Sequence, residues 1–119
     1  MTVLHVDELE RIETPDGFVL RPIRRRFGIE AFGVDAYSPS EAGAQVVEDH
    51  DERRLRREEI YLVLRGRVRF TIGGAEHELH PGQLVFVRDP SLRRQAVGLD
   101  DDTLVLALVG KPDFSPGSL

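Results

Sequence analysis

Apolar residues recur at helical spacing in only one place, Val6 to Ile12 (Val6-Asp-Glu-Leu-Glu-Arg-Ile12), and this shortage constrains the fold more than any other feature. Asp7 stands where it would cap a short turn there. The rest of the chain reads as short aliphatic and β-branched runs cut by Gly, Pro and Asp. Strands are predicted over Gly17–Arg24, Ile29–Tyr37, Gln45–Asp49, Glu59–Leu64, Arg67–Ile72, Ala75–Leu79, Leu84–Val87, Leu92–Val97 and Thr103–Val109. So many short strands in 119 residues predict an all-β sandwich or barrel. A chain this short has apolar surface for one core, so a single domain over 1–119 is expected. The stretch from Lys111 (Lys-Pro-Asp-Phe-Ser-Pro-Gly-Ser-Leu) reads as a loose tail.

Parity within the strands says which faces are covered. Arg67, Arg69 and Thr71 alternate with Val68, Phe70 and Ile72, the pattern of a half-buried antiparallel strand. Two strands break the alternation: Ile60-Tyr-Leu-Val-Leu64 and Leu104-Val-Leu-Ala-Leu108 are apolar on both faces. One face can line a core, and the other needs a second cover. A second copy of the chain would supply it, so a homodimer is expected.

Charge and cysteine content exclude several function classes. The formal net charge is −5, which argues against a nucleic-acid binder. Fifteen of the sixteen basic residues are Arg, whose fork suits carboxylate and phosphate. Without cysteine there are no disulfides, thiolate nucleophiles or Cys-ligated metals. No apolar run approaches the roughly 20 residues that span a bilayer, and the acidic start lacks a signal-peptide pattern. A cytoplasmic protein without a membrane partner is expected.

Three linked segments carry a resemblance. They are Glu58-Glu-Ile-Tyr-Leu-Val-Leu-Arg-Gly66, then Arg67-Val-Arg-Phe-Thr-Ile-Gly-Gly74, then Glu76-His-Glu-Leu-His-Pro-Gly-Gln-Leu-Val-Phe-Val87. Together they resemble a small single-domain cupin of the cupin-2 type. Glu59, six residues and Gly66 match the end of that family's first motif; Pro81-Gly82 and the apolar run after it match the start of the second. The resemblance covers about Gly43 to Val97 and implies a jelly-roll β-barrel (double-stranded β-helix), usually homodimeric.

In metal-binding cupins, two His and a Glu of the first motif and one His of the second hold a divalent ion. Here His50 takes the first His position, Glu52 the second and Glu59 the Glu. Counting from Gly82 puts Arg93 at the second-motif His, with Gln95 on the same strand face. Arginine offers only donors and cannot ligate. A reduced set of His50, Glu52 and Glu59 remains for a divalent metal. Glu59 shares a face with Tyr61 and Val63, and as a buried carboxylate it needs a partner. Parity groups Arg93, Gln95 and Val97 against Leu92, Arg94 and Ala96; the resemblance turns the first group inward, making Arg93 the partner expected for Glu59. The reverse arrangement would turn Arg94 inward instead.

Three functions follow, in this order. The first is a metal-free or metal-poor cupin that binds a small, anionic molecule through Glu59, Tyr61, Arg93 and Gln95, with Arg53 or Arg54 closing the mouth. The second is a metal-dependent enzyme of dioxygenase, isomerase or decarboxylase type, using His50, Glu52 and Glu59. The third is a dimeric interaction protein without chemistry. His5, His77 and His80 read as surface groups. No nucleophile elbow, phosphate-binding loop or dinucleotide fingerprint is present.

Overall fold

The computed structural model describes residues 1–110 and is nearly all β. A 3-10 turn at Val6–Glu8 precedes β1 (Ile12–Glu13) and β2 (Phe18–Pro22). One helical turn, α1 (Arg24–Phe27), separates β2 from β3 (Gly33–Pro39). Then follow β4 (Gln45–His50), β5 (Glu58–Arg65), β6 (Val68–Ile72), β7 (Ala75–Leu79), β8 (Leu84–Val87), β9 (Arg94–Gly98) and β10 (Leu104–Gly110). They form two antiparallel sheets, ordered β1-β2-β3-β10-β5-β8 and β4-β9-β6-β7. This is the jelly roll the sequence predicts.

The alternation of β6 does what its pattern requires: Val68 and Phe70 are fully buried between the sheets while Arg69 is exposed. Val46, Val63, Ala96 and Val105 fill the same core. Gly66 joins β5 to β6 at φ +69°, and a Cβ there would come within 2.8 Å of the Thr103 backbone. Gly73 and Gly74 close the β6–β7 hairpin, both with positive φ, as two-residue turns of that kind demand.

Three local expectations are corrected. The cap of the first turn is His5, whose ring nitrogen accepts from the Asp7 N–H at 3.1 Å, because the capping position lies before the turn and Asp7 lies inside it. Arg24 is helical rather than part of a strand. The Asp35 carboxylate accepts from the N–H groups of Ile23 and Arg24 and holds α1 against β3, and Gly28 ends the turn in the left-handed region. The last strand of the second sheet begins at Arg94, because Asp89 to Leu92 form a tight turn with the Asp89 side chain accepting from Ser91. The tail expected from Lys111 lies outside the described residues.

The outer face of the larger sheet is covered unevenly. Over β2, the N-terminal segment lies across it: buried Arg21 donates to the carbonyls of Val6, Asp7 and Leu9. Over β5 and β8, Leu64, Leu84 and Phe86 stay exposed. Among the described residues no helix is long and apolar enough to cross a membrane.

Candidate functional site

The two sheets enclose a cavity of about 310 Å³. Phe18, Tyr37, Tyr61 and Val47 form much of its apolar wall, and His50, Glu52, Arg57 and Glu59 form its polar end. Topology explains the convergence. His50 ends β4, Glu59 opens the inward face of β5, and the eight residues between them carry Glu52 and Arg57. Arg94 opens β9 directly opposite His50.

These groups form one ion network. Arg94 is completely buried and donates from Nη1 to Oε1 of Glu59 at 2.8 Å. Its other N–H groups reach the Leu92 carbonyl at 2.7 and 3.0 Å and the Asp89 carbonyl at 3.1 Å. His50 places Nε2 between the two carboxylates, 3.2 Å from Glu52 and 3.4 Å from Glu59, and its Nδ1 meets the Glu48 carbonyl at 2.6 Å. Arg57 grips Glu52 with two hydrogen bonds, 2.9 and 3.0 Å, in the planar fork geometry arginine favours.

The charges tune one another. Hydrogen bonding to Glu59 raises the His50 pKa to about 9 against the cost of burial, so the imidazole is charged at neutral pH. Burial pushes the Glu59 carboxyl up, but His50, Tyr61 and Arg94 outweigh it and hold the group below its usual range. Burial and the nearby Asp35 push the Tyr37 phenol up to about 12. Burial and the Glu59 charge raise Tyr61 as well, so both phenols are neutral donors.

The sequence-predicted residues divide accordingly. His50, Glu52, Glu59 and Tyr61 come together at the cavity. The expected inward face of the Arg93 strand is corrected. Arg93 is 62% exposed and pairs with Asp49 at 3.1 Å, and Gln95 also faces out. Arg94 and Ala96 are the inward residues. The register of β9 on β6 pairs Arg94 with Ile72 and Ala96 with Phe70, so Arg94 shares the core face. Arg53 and Arg54 are exposed and not among the cavity residues; Arg57 and Arg24 are there instead. Sequence reasoning passed over Arg57, and its signal was weak: it sits in a charged run that reads as solvated loop.

A divalent metal can be tested against this donor set. The ligating atoms of His50, Glu52 and Glu59 lie within 4.8 Å of one another. However, the carboxylate oxygen of Glu59 that faces His50 is the one bonded by Arg94, and the corresponding oxygen of Glu52 is bonded by Arg57. An ion there would have to share Glu59 with the fixed positive charge of the buried Arg94 and displace the His50 proton, where a cupin metal site has further lone-pair donors. The residues present do not fit a resident divalent metal.

The chain matches the family model described as the cupin domain over residues 41–106. No curated protein matches it. Among solved structures it is similar to a cupin-superfamily sugar phosphate isomerase from Silicibacter pomeroyi (19% identity, 98% of this chain and 83% of that one, TM-score 0.73). It is likewise similar to a cupin protein from Bacteroides fragilis (23%, 100% and 88%, TM-score 0.68). A Streptomyces nucleoside dehydratase is comparable (18%, 92% and 82%, TM-score 0.67). At these identities the structural likeness speaks for the fold, and the family match places the chain in the cupin family.

Proposed function

We propose that this member of the cupin family binds a small organic anion in its cavity without a resident metal. One observation carries the reading. The buried network holds two carboxylates, Glu52 and Glu59, against two guanidiniums, Arg57 and Arg94, and one charged imidazole, His50. Among these five groups one positive charge is left over, carried where His50 and Arg57 are half-buried at the polar end of the cavity. A bound anion neutralises it, and the apolar wall of Phe18, Tyr37 and Val47 suits the ligand's carbon skeleton.

The reading fixes a pH dependence. His50 supplies the excess charge below a pKa of about 9, so affinity for an anion should hold at pH 7 and fall as the pH rises through about 9. The imidazolium's contribution to folding stability has the same sign: fully present below 6.5, lost as the pH climbs past about 9. A metal site would slope the other way, since the imidazole must lose its proton to ligate. Calorimetric titration with acetate at pH 7 and pH 10 reads the sign. Tighter binding at pH 10 would defeat the anion model.

We further propose a homodimer that uses the exposed patch on β5 and β8. The edge strand β8 leaves backbone hydrogen-bonding groups open beside Leu84 and Phe86, a combination that invites pairing unless covered. An antiparallel strand edge is self-complementary about a two-fold axis, so a second copy fits it. Sedimentation equilibrium should give about twice the 13.4 kDa chain mass, and Leu84→Glu with Phe86→Glu should give the monomer. A wild-type monomer at high micromolar concentration would refute the dimer.

A further inference from the structure

The cavity wall holds a polar atom that the ion network leaves only partly used. Tyr61 is 2% exposed, and its ring packs against Phe70 with centroids 5.3 Å apart. Its hydroxyl faces the Glu59 carboxylate and helps to hold it ionised, but the contact falls short of a close hydrogen bond, and no other group among the described residues meets it. A buried hydroxyl held by one loose contact leaves hydrogen-bonding capacity unused, and phenylalanine would fill the same space without it. Tyr61 lines the cavity, so the partner can come from a bound molecule.

The neighbouring acceptor is half used as well. Arg94 and His50 both address Oε1 of Glu59, and among the described residues no hydrogen bond reaches Oε2. A partly used O–H donor beside an unused carboxylate oxygen suits a group that both accepts and donates. A carboxylate or phosphate oxygen only accepts, and Glu59 repels it. An alcohol does both.

We propose that Tyr61 and Glu59 bind an alcohol group of the ligand, so that the anion this cavity takes is a hydroxylated one, with its charged end toward His50. The inference rests on the anion-binding reading above. Nε2 of His50 is 3.4 Å from the other oxygen of the same carboxylate, so a hydroxyl at Oε2 and a charged group near His50 suit a short spacing, as in a 2-hydroxy acid.

Glycolate and acetate differ by that one hydroxyl and are the probes. Each is titrated into the isotope-labelled full chain at pH 7 and followed by NMR at His50 and at the Tyr61 ring. Glycolate should bind at least about tenfold more tightly than acetate, since a site built around a hydroxyl penalises its loss. The Tyr61 ring resonances should move with glycolate and stay in place with acetate. Tyr61→Phe should melt no lower than the wild type and lose the preference for glycolate. Equal affinities in the wild type would overturn the alcohol site and leave the anion reading standing. A preference that survives in Tyr61→Phe would overturn it too. If neither anion perturbs His50, the anion reading fails and the inference with it.

Discussion

Arg94→Ala is expected to destabilise the protein by about 3–5 kcal/mol, because it leaves Glu59 as a buried charge without its guanidinium. Arg94 is completely buried, Glu59 is 6% exposed, and their 2.8 Å bond crosses from one sheet to the other. The substitution also opens a void where the long side chain lay and frees the carbonyls of Leu92 and Asp89. With Arg94 gone, burial should raise the Glu59 carboxyl, so the variant should recover part of its stability in acid. Adding Glu59→Gln to Arg94→Met should rescue much of the loss, since a neutral pair of similar volume removes the stranded charge. Arg93→Ala is the internal contrast: on an exposed ion pair it should leave the denaturation midpoint nearly unchanged. Denaturant melts of the two alanine variants settle the matter. Similar midpoints for both would mean that the Arg94–Glu59 bond does not hold the sheets together.

That contrast also shows where sequence reading stops. The jelly roll was legible because its turns announce themselves in Gly66, Gly73-Gly74 and Pro81-Gly82, and its strands alternate. His50, Glu52 and Glu59 were legible because their spacing follows the family motif. The choice between Arg93 and Arg94 was not, since a strand's two faces differ by one residue and a turn of ambiguous length precedes this one. The register on β6 decides it, through pairing with residues some twenty positions earlier. α1 was hidden for a similar reason: Arg24-Arg-Arg-Phe27 has no apolar period, and its first N–H groups are satisfied by Asp35, from the next strand. Arg57 escaped because what distinguishes it is conformational. Arg56 takes φ 52° and its N–H donates to the Glu52 carbonyl at 2.7 Å, which turns the chain so that Arg57 folds back onto Glu52. Nothing in a run of arginines and acids marks that residue.

Arg94→His should convert the cavity into a divalent-metal site. In the wild type the three candidate ligands already converge, and the obstacle is specific: Arg94 presents an N–H to the Glu59 oxygen that a metal would need. The structure turns this side chain, not that of Arg93, inward opposite His50 and onto Glu59. Exchanging the guanidinium for an imidazole removes a fixed positive charge and adds a lone pair. The site then offers two imidazoles and two carboxylates, a set that suits zinc and cobalt. Arg57 would remain on Glu52 and orient it, as partners of ligating carboxylates do. Affinity for cobalt should rise by roughly a hundredfold or more over the wild type, and each ion bound should release the His50 proton at neutral pH. Binding should therefore strengthen as the pH rises, opposite to the slope expected for the anion. Calorimetry in two buffers of different ionisation heat measures the proton, and cobalt absorption reports the coordination. Stoichiometric, equally tight cobalt uptake by the wild type would show that Arg94 does not exclude metal, and the metal-free reading would fall with it.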